Sequence, residues 1–112
     1  MGQRCTHKLA LTAAGFAEAH QRYHVFDGEW RQCGHAMKTG SPLFQKTGLD
    51  MYLYRHNGRW CVDGTLFSSC VVACVESGCT ALPPVGEHDW KIRAPGGVFE
   101  TKKITIHAYK IL

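Results

Sequence analysis

Residues 51–62 read Met-Tyr-Leu-Tyr-Arg-His-Asn-Gly-Arg-Trp-Cys-Val and contain the strongest local folding signal of the chain. The dipeptide Asn57-Gly58 suits the positive φ angles of a tight type I′ turn. On the N-terminal side of the turn, residues alternate between the two faces of a strand, and an aromatic and β-branched segment follows it. This stretch therefore predicts an antiparallel β-hairpin.

Similar turn signals occur on both sides of this hairpin. Asp27-Gly28 separates residues 23–26 from residues 29–32, which predicts a second hairpin. Asp63-Gly64 leads into residues 67–75, whose continuous apolar run predicts a strand that is covered on both faces. The middle of the chain thus favours a series of antiparallel strands.

The last third of the chain continues the pattern. Pro83-Pro84 predicts a surface loop, because proline lacks the backbone donor that a central strand needs. Residues 90–93 and 104–111 alternate again, on either side of a turn at residues 95–97. We therefore expect an all-β fold over residues 21–112, a small antiparallel meander that forms a compact barrel or sandwich.

Residues 1–20 are alanine-rich and allow three interpretations. They can form a short N-terminal helix or loose arm, with apolar residues on one helical face. They can be a secretory signal that is cleaved after the small residues 17–19. Alternatively, Gly2 and Thr6 match the myristoylation pattern, with Cys5 placed for a second acyl chain and for peripheral membrane association. Cleavage would leave an odd number of cysteines, so a cytoplasmic or membrane-anchored protein is favoured over a secreted one.

Length and composition limit the classes of protein. A chain of 112 residues with 45% hydrophobic and 20% charged residues is typical of one soluble domain with a single core. No apolar stretch reaches the roughly 20 residues of a membrane-spanning helix. The net charge of +4 lies in residues 91–112. Few aromatic residues accompany this charge, so we expect lysines on an exposed sheet edge and no specific nucleic-acid binding.

Six cysteines and seven histidines are the candidates for chemistry. No Cys-x-x-Cys pair occurs, and Cys70 and Cys74 are separated by roughly 13 Å on one predicted strand, too far to pair with each other. Reduced structural cysteines are favoured, with disulfides and a metal site as the alternatives. The densest group of potential ligands lacks the spacing of a zinc site; it comprises His20, His24, Cys33 and His35. We predict no catalytic residues, no metal site and no cofactor.

The tryptophans Trp30, Trp60 and Trp90 are the largest side chains available for the core. We expect two of the three to be buried, Trp60 among them. A partly exposed tryptophan beside a tyrosine would provide a platform for a sugar ring or a peptide proline. Their exposure therefore bears directly on the kind of ligand.

Five short segments also carry a resemblance. They are residues 41–46, 52–55, 57–60 and 83–84, together with Trp90. Their order resembles a β-rich repeat of uncharacterised eukaryotic proteins, with the pattern Tyr-Leu-Tyr, Gly-Arg-Trp, Pro and Trp over residues 22–93. The resemblance implies a compact antiparallel β unit and assigns no catalytic residues.

Two classes of function remain. The first is a non-catalytic binding or interaction module for a protein, peptide or glycan, whose ligand-binding residues the sequence does not assign. The alternative is a small Cys/His enzyme or metal-binding protein, for which the sequence offers a suitable composition but no motif.

Overall fold

A computed structural model describes residues 8–35, 40–65 and 71–111. Eight antiparallel strands follow one another in chain order around a closed barrel, which confirms the predicted all-β meander. Two short helices lie between the first two strands: helix α1, Phe16–Ala19, and a 3₁₀ helix, Gln21–Phe26. No described helix has the length and apolar character needed to cross a membrane. The strands are Lys8–Ala14 (β1), Gly28–His35 (β2), Pro42–Lys46 (β3), Tyr52–His56 (β4), Arg59–Asp63 (β5), Ala73–Glu76 (β6), Gly86–Arg93 (β7) and Phe99–Ile111 (β8).

The hairpin predicted around Asn57-Gly58 is confirmed. Asn57 and Gly58 have φ angles of 55° and 76°, as a type I′ turn requires. Strands β4 and β5 pair from His56 with Arg59 at the turn to Tyr52 with Asp63 at the far end. The alternation is also confirmed, because Leu53 belongs to the main core cluster and Tyr54 to a separate cluster.

The prediction of a helix or arm over residues 1–20 is wrong for Lys8–Ala14, which form strand β1. This strand pairs with β2 on one side and β8 on the other, and it places Leu11 and Ala13 in the core. Hydrogen bonds on both sides override the intrinsic helix propensity of the alanines. Gly15 ends the strand with a φ of +112°, and a Cβ atom there would lie 2.5 Å from the carbonyl oxygen of Lys103. The barrel therefore begins well before residue 21, and only α1 is helical in the described part of residues 1–20.

The prediction of a hairpin around Asp27-Gly28 is also wrong. The residues before the turn form the 3₁₀ helix, and β2 begins at Gly28. The Asp27 carboxylate accepts hydrogen bonds from the backbone N–H groups of Phe16 and Ala17, at 2.9 and 3.1 Å. The aspartate thus satisfies amides at the start of α1, which is a common role for this residue type at a helix N-terminus.

The loop between β6 and β7 packs against the core of the barrel. Pro83 is buried and Leu82 packs against the core, so the predicted surface position is wrong for Pro83. A proline ring is apolar and carries no N–H that needs a partner, so it can be buried without an unsatisfied donor. The indole N–H of Trp60 donates to the carbonyl oxygen of Cys79 at 3.0 Å and holds this loop in place. Of the run predicted over residues 67–75, residues 67–70 lie outside the described residues, and β6 begins at Ala73.

The barrel interior is filled by large side chains. Trp30, Trp60 and Trp90 are each at most 1% exposed, which confirms the prediction for Trp60. Trp30 donates its indole N–H to the carbonyl oxygen of Phe26 at 2.9 Å. Because all three tryptophans are described and buried, none of them provides the platform for a sugar ring.

The basic segment is not a sheet edge. Strand β8 pairs with both β7 and β1 and closes the barrel, so its lysines have no exposed edge to protect. Lys103 forms an ion pair with Asp89 at 2.7 Å, and Lys102 lies 3.9 Å from Glu100. Nearby carboxylates therefore offset part of the positive charge of this segment.

Candidate functional site

The barrel wall opens between β6 and β7. Their ladder ends at the Cys74–Lys91 pair, although β7 continues toward its start at Gly86. The same register would bring Val75 opposite Trp90 and then Glu76 opposite Asp89, and neither pair of these described residues forms. The strands separate at this point and leave a groove of about 290 Å³.

The backbone of β7 faces this groove. The N–H of Arg93 donates to the carbonyl oxygen of Val72 at 2.8 Å, so the backbone groups of Arg93 point toward β6. Successive residues of a strand direct these groups to opposite sides. The N–H and C=O of Asp89 therefore point into the groove, whereas those of His88 and Trp90 point toward β8.

Charged side chains of both signs surround the groove. Two cationic and two anionic residues make its net charge zero at neutral pH, which gives no electrostatic attraction for a polyanion. Lys91 donates to the hydroxyl of Thr101 at 2.8 Å, and Lys103 holds Asp89 on the outer face. The residues that line the groove are Arg59, Cys74, Val75, Glu76, Asp89 and Lys91.

One thiol of a cross-strand cysteine pair lines the groove. Cys74 lines it, and Cys61 is directly opposite Cys74 on β5. Both are buried in one cluster with Tyr54, whose hydroxyl donates to Asp63 at 3.1 Å. Burial raises the pKa of Cys61 to about 11, with a further increase from Cys74, so Cys61 is a neutral thiol at physiological pH.

A second groove, of about 360 Å³, lies on the outer face of β2 and β3 beside the turn that follows β3. Its floor is a paired ladder, so β2 and β3 use their backbone groups for each other. Beside it, Glu29 accepts hydrogen bonds from Tyr109 at 2.7 Å and from Arg31 at 3.0 Å. Both hydrogen bonds lower the pKa of Glu29, and the bond from Tyr109 has the larger effect.

His20 and His24, from the densest group of candidate ligands, have local partners. The Nδ1 of His20 accepts from the N–H of Arg22 at 3.3 Å, and that of His24 lies 3.0 Å from the carbonyl oxygen of Gln21. Within the three described ranges, no group of three or more His, Cys, Asp or Glu side chains is arranged to hold a metal ion. The described part of the chain thus does not bring these candidate ligands together as one site.

The remaining predicted residues are spread over the chain. The lipidation candidates Gly2 and Cys5, as well as Cys70, lie outside the described residues. Cys79 is exposed in the loop after β6, where backbone N–H groups of Leu82 and Ala81 lower its pKa. Cys79 therefore ionises more easily than Cys61.

Sequence reasoning did not find the groove. The alternation at residues 90–93 indicated a strand, but the groove depends on where the β6–β7 ladder stops. Comparisons with models of protein families, with curated proteins and with solved structures find no match to this chain. The inference of function therefore rests on the geometry of this groove.

Proposed function

We propose that the chain is a non-catalytic binding module that holds an extended peptide segment of a partner protein in the groove between β6 and β7. The supporting observation is the direction of the Asp89 backbone, whose N–H and C=O face the groove beyond the last pair of the ladder. A peptide strand aligned with β7 would bond to both groups, as in other cases of strand addition to a sheet edge.

The size and charge of the groove support a peptide over the other ligand classes. A volume of about 290 Å³ matches a short extended segment better than a large folded surface. Balanced charge disfavours phosphate-rich ligands, and the burial of all three tryptophans removes the stacking platform expected for a glycan. Main-chain hydrogen bonds would supply affinity, and the charged residues Arg59 and Glu76 on the opposite wall would select side chains.

The test uses a library of random linear peptides displayed on phage and selected on the full chain. Selected peptides are then measured against Asp89→Pro, which removes the N–H that faces the groove, and against Asp89→Thr, which retains it. Both substitutions remove the same carboxylate and its ion pair with Lys103. We expect Asp89→Pro to weaken binding at least about tenfold and Asp89→Thr to stay within about threefold of the wild type.

Two results would overturn the proposal. One is a selection that yields no linear peptide. The other is a set of peptides that bind Asp89→Pro as tightly as the wild type, because such peptides would not use the edge of β7.

A further inference from the structure

We propose that Cys61 and Cys74 form a reversible dithiol–disulfide site across β5 and β6, oxidised through the groove by a low-molecular-weight disulfide. The inference rests on the pairing of the two strands and on the position of Cys74 in the groove wall. It does not depend on what the groove binds. The site differs from the proposed peptide site in chemistry, although the two share Cys74.

The register determines which kind of cross-strand pair the cysteines form. The residues that flank the two-residue β4–β5 turn, His56 and Arg59, bond to each other, so the alternation makes Cys61 bond to Tyr54 on β4. The backbone groups of Cys61 therefore point away from β6. The backbone groups of the next residue, Val62, point toward β6. The carbonyl oxygen of Val62 accepts a hydrogen bond at 2.8 Å from the N–H of Val72, which directly precedes β6.

Cys61 and Cys74 are consequently a non-hydrogen-bonded pair. Opposed Cα atoms in such a pair lie about 4.5 Å apart, which is within the Cα separation of about 4.4 to 6.8 Å that a disulfide spans. Both side chains belong to the same cluster, separate from the main core. The two sulfur atoms can thus be joined without a change of register.

Access to the two sulfur atoms is unequal and sets the order of the steps. Cys74 is 5% exposed and lines the groove, whereas Cys61 is 1% exposed and is not among the lining residues. The thiolate of Cys74 attacks one sulfur of the incoming disulfide, whose S–S bond breaks. A mixed disulfide forms, and the first half leaves as a thiolate that takes up the proton lost by Cys74.

The second step closes the protein disulfide. Cys61 loses its proton and attacks the Cys74 sulfur, the mixed disulfide breaks, and the second half leaves as a thiol with that proton. Two protein thiols are oxidised in total, and one small disulfide is reduced to two thiols. Because the pKa of Cys61 is about 11, its thiolate fraction increases about tenfold per pH unit between roughly pH 7 and 9. Ring closure should accelerate over this range.

The test treats the full chain with glutathione disulfide, quenches with acid, alkylates the remaining thiols and maps the products by mass spectrometry. Cleavage before Asp63 and after Glu76 places Cys61, Cys74 and Cys79 in three different peptides. We expect a cross-linked product of the Cys61 and Cys74 peptides with the loss of two hydrogens, reversed by dithiothreitol. Peptide fragmentation separates Cys74 from Cys70, which shares its peptide.

Matched variants test the order of the steps. Cys61→Ala should stop at a mixed disulfide on Cys74, and Cys74→Ala should give no cross-link to Cys61. Cys79→Ala is the control that removes an exposed thiol and should retain the cross-link. The wild-type map alone remains decisive if a variant fails to fold.

Three results would overturn the proposal. They are the absence of a Cys61–Cys74 cross-link in the wild type even at about pH 9, a cross-link from Cys61 that survives in Cys74→Ala, and a closure rate that does not change with pH. None of them bears on peptide binding, so failure here is distinguishable from failure of the proposed function.

Discussion

The wall formed by β7, β8 and β1 differs from the wall formed by β3 to β6 in how completely its strands are paired. Strand β8 pairs with β1 and β7 along the length of both. By contrast, two residue pairs each make up the β3–β4 ladder of the second wall and the β6–β7 ladder that joins the two walls. A closed barrel can therefore contain a local open strand edge, and such an edge offers backbone groups to a ligand.

The outer faces of the two walls also differ. On β7 and β8, charged and aromatic residues are exposed to solvent, with the Arg93 guanidinium 4.7 Å from the centre of the Phe99 ring. On β4 to β6, the outward residues Tyr54, Cys61 and Cys74 are buried. The wall formed by β3 to β6 thus has the more buried outer face and carries the thiol pair, and the groove lies between this wall and β7.

The largest effect is expected in the core, which both walls share. Trp60→Ala should lower the free energy of unfolding by about 3 to 5 kcal/mol, because it removes a fully buried ring and its hydrogen bond to the loop at Cys79. Denaturant unfolding followed by circular dichroism measures the change. A loss below about 1 kcal/mol would show that the two walls do not depend on a common core.

The next prediction compares the walls directly by proline substitution. Thr105→Pro removes an N–H from β8, which is paired on both sides, and should cost at least about 2 kcal/mol. Asp89→Pro removes an N–H that faces the groove and should cost less than about 1 kcal/mol, including the surface ion pair with Lys103. Equal losses in urea unfolding would mean that the β7 edge is not open.

The sequence best predicts those parts of the fold that depend on residues close together in the chain. The hairpin around Asn57-Gly58 needs only the turn residues and the alternation beside them, and both are visible in the chain. Strand β1 was misread because its alanines allow both helical and extended periodicity, and pairing with β2 and β8 decides between the two. Asp27 was misread because a turn-forming residue also serves at a helix N-terminus.

The candidate site could not be predicted for a related reason. Asp89 and Cys74 each lie in an expected strand, but their roles depend on the register between strands and on where a ladder ends. The pairing of Cys61 with Cys74 is likewise a property of the β5–β6 register. Such long-range features leave no periodic signal in a single sequence.

A smaller effect is expected where β8 contacts β2 across β1. Tyr109→Phe removes the strongest hydrogen bond to Glu29 and should raise the pKa of Glu29 toward its ordinary value. Since the folded-state pKa is lowered, the Glu29 interaction stabilises the fold above the unfolded-state pKa and is lost as the pH falls through the folded-state pKa. Tyr109→Phe should weaken this acid dependence.

Titration of the Glu29 carboxyl by NMR measures the change in its pKa. Thr47→Ala is the matched control, because Thr47 makes the weakest of the hydrogen bonds that lower this pKa. A shift in Thr47→Ala as large as in Tyr109→Phe would contradict the contact between β8 and β2.

Hydrogen exchange of two adjacent amides in β7 tests the open edge most directly. The N–H of Trp90 faces β8 within a complete ladder, whereas that of Asp89 faces the groove. Residue-resolved NMR on the free protein should show Asp89 exchanging faster than Trp90 by on the order of 100-fold, after correction for intrinsic rates. Equal protection of the two amides would show that the edge of β7 is paired and would contradict the binding groove.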